Sequence, residues 1–241
     1  MLQIKTSSNP AIDSAKRNID IISKQLFRNV KVTWLLAGGS AIKVYKEMDE
    51  LLNLDLDFSN LSISLGDERY SKDKKHKDAT WPIFKELTLF KGLHKQGAKI
   101  FEILSGSTLD NDAMRFENFL RDRLRESNFI LSNQGIGTDC HTAGIIPTNN
   151  KNLFVEVYPD NRLAVGHKHG GQHPERITIT PGLIKKANKI TVFMVGEDKK
   201  AVLQKLSRYK ELETMQGLTY KYPALLTSLM SAEVFTDQEV N

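Results

Sequence analysis

Phe129-Ile130-Leu131 leads into Gly135-Ile136-Gly137-Thr138-Asp139-Cys140-His141-Thr142-Ala143, and this stretch decides the fold. The apolar run reads as a strand. The two glycines that follow read as the turn that ends it. A carboxylate and an imidazole then stand two residues apart, close enough for one to orient the other. Chemistry-bearing side chains just past a strand suit an α/β sheet, whose ligand sites lie beyond the carboxyl ends of its strands. Histidine is the side chain most often used to move protons near neutral pH, so Asp139 and His141 suggest a water-activating pair. A turn aspartate beside a partly exposed histidine fits the same residues.

Working outward, strands and helices alternate. Residues 11–27 carry Ile12, Ala15, Ile19, Ile22 and Leu26 at spacings of three and four, which predicts an amphipathic helix. Residues 32–36 are a short apolar strand, followed by Ala37-Gly38-Gly39-Ser40 and a helical pattern through Leu52. Residues 61–65 alternate like a strand and end at Gly66-Asp67-Glu68-Arg69. Helices are expected over residues 79–89 and 109–127, with a strand over 100–104 between them. Residues 148–175 read as a strand with loops, and 177–179 as extended. Residues 190–195 form the cleanest buried strand, with a helix over 197–209 after it. The tail from 218 to 234 gives no clear pattern. This alternation predicts a Rossmann-like α/β fold, a mostly parallel sheet with helices on both faces, in a single domain over residues 1–241.

Composition narrows the function classes. The 241 residues are 40% apolar, enough for one well-buried core. Lys and Arg number 34 against 29 Asp and Glu, a modest net charge of +5. The densest basic run, Lys72, Lys74, Lys75 and Lys77, is flanked by turn-like residues and reads as a solvated loop, not a nucleic-acid site. A single cysteine rules out an internal disulfide and suits a reducing compartment. No segment approaches the ~18 apolar residues of a membrane span, and the first residues carry no long apolar leader. A soluble, cytoplasmic protein is expected.

Other segments carry chemistry only in combination. Gly38-Gly39-Ser40 lies between a strand and a helix, where backbone N–H groups can receive a phosphate; a plain strand-to-helix turn needs the same residues. Asp67-Glu68-Arg69 follows another strand and fits either a surface turn or a carboxylate and guanidinium beside a substrate. Arg176 precedes a strand and Lys199 begins a helix, so both can close a cationic ring around a phosphate. Cys140 reads as a packing residue more than a nucleophile. His167, His169 and His173 lie in a glycine-rich loop with no fixed ligand face, so no metal is expected there.

In this order, Ala37-Gly38-Gly39-Ser40, Gly66-Asp67-Glu68-Arg69, Gly135-Ile136-Gly137-Thr138-Asp139-Cys140-His141-Thr142, Pro174-Glu175-Arg176-Ile177-Thr178 and Gly196-Glu197-Asp198-Lys199-Lys200-Ala201 resemble the 6-phosphogluconolactonases, within the wider group that includes the glucosamine-6-phosphate deaminases. Tyr222-Pro223-Ala224 fits as well, and the resemblance runs over residues 10–236. It implies a sugar 6-phosphate as ligand, with phosphate-binding positions at Gly38, Gly39, Ser40, Arg176 and Lys199. It places the catalytic histidine at His141 with Asp139 beside it, and further site positions at Asp67 and Arg69. It implies no cofactor, metal, nucleic acid or membrane, and a monomer or homodimer. The activity implied is hydrolysis of 6-phosphoglucono-1,5-lactone in the pentose phosphate pathway. The deaminases carry a glutamate five residues after the histidine, where this chain has Ile146, and usually a tyrosine where it has Arg69; both differences favour the lactonase. A deaminase and a non-catalytic sugar-phosphate sensor stand as alternatives. Three positions depart from the lactonase pattern. Cys140 replaces a glycine, Gly144-Ile145-Ile146-Pro147 replaces Ser-Leu-Phe-Pro, and the Ser-Asn pair is replaced around Thr80-Trp81. If residue 140 takes a positive φ, cysteine there costs energy.

Overall fold

A computed structural model describes residues 2–126, 128–170 and 172–240. The expected helix end at Ser127, Gly171 of the histidine loop, and the two chain ends lie outside the described residues. The strands are β1 (Gln3–Thr6), β2 (Val32–Leu36), β3 (Leu61–Leu65), β4 (Asp67–Arg69), β5 (Lys99–Ile100), β6 (Phe129–Gly135), β7 (Ala164–Lys168), β8 (Glu175–Ile179), β9 (Lys189–Met194) and β10 (Glu233–Thr236). The helices are α1 (Pro10–Phe27), α2 (Ile42–Lys46), α3 (Trp81–Glu86), α4 (Thr88–Lys95), α5 (Leu109–Arg125), α6 (Lys151–Val157), α7 (Pro181–Ile184), α8 (Lys200–Arg208), α9 (Leu212–Leu218) and α10 (Leu225–Leu229).

Seven strands form a sheet in the order β1-β10-β9-β6-β2-β3-β5, every pair parallel. Every residue of β2 and β3 is buried, so both faces of the sheet are covered, as parallel sheets require. A small antiparallel sheet, β4-β8-β7, stands beside it. Asp67–Arg69, which read from sequence as either a surface turn or charges beside a substrate, is itself a strand, paired with Thr178, Ile177 and Arg176 of β8.

Local rules account for most elements. Pro10 starts α1, and Ala15, Asn18, Ile22 and Leu26 bury one stripe of it. Thr108 caps α5 by accepting from the Asn111 N–H at 3.2 Å, with Asp110 and Asp112 in its first turn and Arg123 and Arg125 in its last. The α-helices expected through Leu52 and over 79–89 are each divided. Between α3 and α4, Leu87 is extended. That break brings Phe84 and Phe90 together at 5.2 Å and both onto Tyr45, which packs against Trp34. The expected strand over 100–104 is only Lys99–Ile100; the Phe101 N–H still donates to the Ile63 carbonyl at 2.8 Å, and the Phe101 ring stacks on Phe119 at 4.2 Å. Helix α6 was not expected, although Asn150 caps it through the N–H groups of Asn152 and Leu153.

Candidate active site

After β2 the chain builds outward to β3 and β5. It then returns to the other side of β2 as β6 and builds to β9 and β10. The segments leaving β2 and β6 therefore diverge, and a crevice opens at the carboxyl ends of these neighbouring strands. A cavity of about 210 Å³ lies there. Of the nine site residues expected from sequence, eight line it: Gly38, Gly39, Ser40, Asp67, Arg69, His141, Arg176 and Lys199. Asp139 is the ninth, and it holds His141.

The turn after β6 fixes that histidine. Asp139 Oδ1 lies 2.6 Å from His141 Nδ1 and also accepts from the His141 backbone N–H at 3.1 Å. A carboxylate at that distance puts the ring proton on Nδ1 and leaves the lone pair on Nε2. Nε2 has no protein partner among the described residues. Partial burial works to raise the Asp139 carboxyl, but the hydrogen bond and charge of His141 outweigh it and hold the group below its ordinary value. A β-carbon at Gly137 would collide with the imidazole, so only glycine admits this ring position. Cys140 has φ +68° and is 1% exposed. The condition under which cysteine costs energy here, a positive φ, is therefore met, and the thiol is buried packing. Burial also pushes that thiol up, away from the nucleophilic thiolate.

The turn after β2 is built the other way. Tyr45 fixes its start, its hydroxyl accepting from the Ala37 N–H at 2.9 Å and donating to the Ala37 carbonyl at 3.3 Å. Gly39 has φ +61° with open space where a side chain would stand. Ser40 is exposed, and its hydroxyl makes no capping bond. Backbone N–H groups in such a turn are suited to an anion. Lys199 reaches the cavity from the end of β9, 3.5 Å from Asp198.

The two arginines differ. Arg176 is 6% exposed, pairs with Asp67 at 3.0 Å and donates through Nε to the His173 carbonyl. Among the described residues Arg69 has no carboxylate partner; Nη1 donates to Thr80 Oγ1 at 2.8 Å, and Nε is buried without a partner. Its remaining N–H groups are unspent among the described residues. Glu68, between Asp67 and Arg69, lies outside the cavity lining. Its buried carboxylate accepts from the N–H groups of Arg69, Thr80 and Trp81 and so ties β4 to the start of α3. Burial pushes this carboxyl above its ordinary value, against the pull of those hydrogen bonds.

Several supporting residues escape a reading for reactive groups. Asn133 and Gln134 of β6 line the cavity floor. Asn133 accepts from Trp34 Nε1 at 2.6 Å and donates to Asn18 and Thr191, joining α1, β2, β6 and β9. The Thr142 hydroxyl lies 2.8 Å from Gln134 Oε1 and 3.0 Å from the Gly135 carbonyl. Their signal in the sequence is a polar run, Ser132-Asn133-Gln134, inside a strand that packing buries. His167 is buried too; its Nε2 donates to the Gly144 carbonyl at 2.9 Å, while Nδ1 accepts from the His169 N–H. Desolvation lowers its pKa to about 4, so it is a neutral packing residue.

A family model described as glucosamine-6-phosphate isomerases/6-phosphogluconolactonase matches residues 6–228. The chain belongs to this family. A 6-phosphogluconolactonase of Haemophilus influenzae is 27% identical over 206 residues, covering 85% of this chain and 82% of that protein. One from Chlamydia trachomatis is 22% identical over 172 residues, covering 71% of this chain but only 63% of that relative's length. Among solved structures, a 6-phosphogluconolactonase from Shewanella baltica superposes with TM-score 0.75 at 20% identity, over 98% of this chain and 97% of that one. A monomeric glucosamine-6-phosphate deaminase superposes with TM-score 0.72 at 16% identity, over 99% and 98%. The family's shared fold thus serves both reactions, and side chains must separate them. Among the described residues no helix is long and apolar enough to cross a membrane.

Proposed function

We propose that residues 1–241 act as one domain that hydrolyses 6-phosphoglucono-1,5-lactone to 6-phosphogluconate. The observation that carries this reading is the pairing in the β6 turn: Asp139 holds His141 Nδ1 at 2.6 Å, and Nε2 is left free. His141 takes a proton from a water as its oxygen attacks the C1 carbonyl. Asp139 stabilises the imidazolium, and the unspent N–H groups of Arg69 face the tetrahedral oxyanion. The C1–ring-oxygen bond then breaks, and the imidazolium returns the proton to that oxygen. The backbone of Gly38 and Gly39, the Ser40 hydroxyl, Lys199 and the free edge of Arg176 receive the 6-phosphate. Asp67 steers Arg176 through their ion pair.

Deamination is the second reading, since the fold accommodates it. It asks for a carboxylate supporting the histidine from position 146 and a free base to move a proton between carbons. Here Ile146 is 5% exposed with no ionisable group, and Asp67 is spent on Arg176. The deciding assay follows hydrolysis of freshly made lactone, corrected for spontaneous opening, beside ammonia release from glucosamine 6-phosphate. Acceleration of the first alone supports the proposal; ammonia release alone overturns it.

A further inference from the structure

Beside the arginines lies a second group of ligating side chains. His76 and Asp78 belong to the lysine-rich connection between β4 and α3, and His173 to the segment before β8. One ligand atom from each lies within 4.8 Å of the others. His173 Nε2 is 3.3 Å from Asp78 Oδ2, and the rings of His76 and His173 meet edge to face at 5.0 Å. The side chain of His173 is 14% exposed and that of Asp78 41%, so the group is partly sunk yet reachable from solvent.

We propose that His76, Asp78 and His173 form a binding site for a first-row divalent cation of the Zn²⁺ class. Two imidazoles and one carboxylate are a donor set that suits zinc and leaves a fourth position for water. The same set suits Mg²⁺ poorly, because that ion prefers an all-oxygen shell. Small ring rotations close the present spacing to the ~3.3 Å between donors that tetrahedral zinc bonds imply. The close contact of Asp78 with His173 and the hydrogen bond from the Asp78 N–H to His76 Nδ1 at 3.1 Å are exchanged for bonds to the ion. A proton on the His173 nitrogen that binds the ion leaves to solvent. Lys74 in the same loop is engaged elsewhere, with Glu102 at 2.8 Å. Arg69 and Arg176 act on His173 as positive charges and so weaken the hold on a cation.

The site joins two segments that each position a cavity arginine. Asp78 is two residues before Thr80, which holds Arg69, and the His173 carbonyl accepts from Arg176. An ion here fastens the β4–α3 connection to the strand that carries Arg176.

The test is equilibrium dialysis of the metal-stripped full chain against micromolar Zn²⁺, with metal counted by mass spectrometry. One Zn²⁺ per chain is expected, with no retention of Mg²⁺. His76→Asn and His173→Asn should each weaken binding by at least about tenfold, since even outer-shell changes cost that much. His141→Asn, which removes the other His–carboxylate pair, should leave the stoichiometry at one. The visible spectrum of the Co²⁺-loaded unaltered protein, with intense four-coordinate bands, gives a readout independent of any variant's folding. No retained zinc overturns the proposal, as does zinc lost from His141→Asn and kept by His173→Asn.

Discussion

The turns that follow β2 and β6 stand side by side in the sheet, and both depend on glycine, yet they are built for opposite ends. The β6 turn is locked. The Gly137 N–H donates to the His141 carbonyl, the Cys140 N–H to the Gly137 carbonyl and the Ala224 N–H to the Cys140 carbonyl. Thr142 and Asp139 secure the rest. The β2 turn is anchored at Ala37 and then left open, with Gly39 and the Ser40 hydroxyl facing the cavity uncommitted. A proton-transfer group gains from a single fixed orientation, whereas an anion site must keep its donors unspent until the ligand arrives. Changes in the first turn should therefore strike turnover, and changes in the second should strike binding.

The hardest blow to the locked turn is His141→Ala. Lactone hydrolysis should fall by roughly 10²–10⁴-fold with KM little changed; an unaltered rate removes His141 from the reaction. Acid should strain the packing behind the same turn, because a proton on buried His167 adds a desolvated charge and takes away the Nδ1 lone pair that accepts from the His169 N–H. The folded pKa is about 4 and the ordinary value 6.5, so between them the unfolded chain binds the extra proton. Stability should fall as pH drops from 6.5 to 4, by roughly 3 kcal/mol from this group. Urea melts at pH 7 and 4.5 measure the loss, and His167→Gln should flatten it. Asp139→Asn keeps the shape of the turn but weakens the hold on the imidazole. A fall in kcat on the order of 10² is expected, less than at a deeply buried orienting carboxylate. In the open turn, Ser40→Ala should raise KM by about tenfold at nearly constant kcat, the worth of one hydrogen bond to a charged group; a loss confined to kcat would undo the contrast between the turns. Cys140→Gly should do least. Relief of the positive φ and loss of the buried side chain oppose each other, each by about 1 kcal/mol. Activity should stay within about threefold, because His141 is held with cysteine present. A large gain would identify the natural chain as the poorly catalytic binder instead.

Much of this was legible because parallel-sheet proteins expose their logic locally. Residues 32–36 and 61–65 are strands at the expected bounds, since apolar runs closed by glycine have few other uses. Asp139, His141 and the Gly38-Gly39-Ser40 turn were legible for the same reason, lying just past such runs. What stayed hidden depends on distant partners. Glu68 looked like one charge among three, and only the fold shows its carboxylate receiving N–H groups from residues 80 and 81. Asp67 and Arg176 each read as a ligand for substrate, and the fold makes them ligands for each other. The three histidines of one loop looked like the only metal question; instead His167 is spent on a carbonyl and His173 meets His76 and Asp78 from another segment. Strands β1 and β10 left no clear trace, because runs of four residues carry little periodicity.

The pairing of those two strands also sets a schedule. β1 has β10 as its neighbour in the sheet, residue 3 opposite residue 233. Lys5 and Arg17 share the partner Glu233, which lies 228 and 216 residues further along the chain, so both wait for it during synthesis. On a ribosome β1 stays unpaired until β10 emerges, and the sheet cannot be closed at that edge before then. Contacts of such long sequence separation form late and slowly. Until then the outer side of β9 is an unprotected edge, the point at which chaperones or mispairing would act.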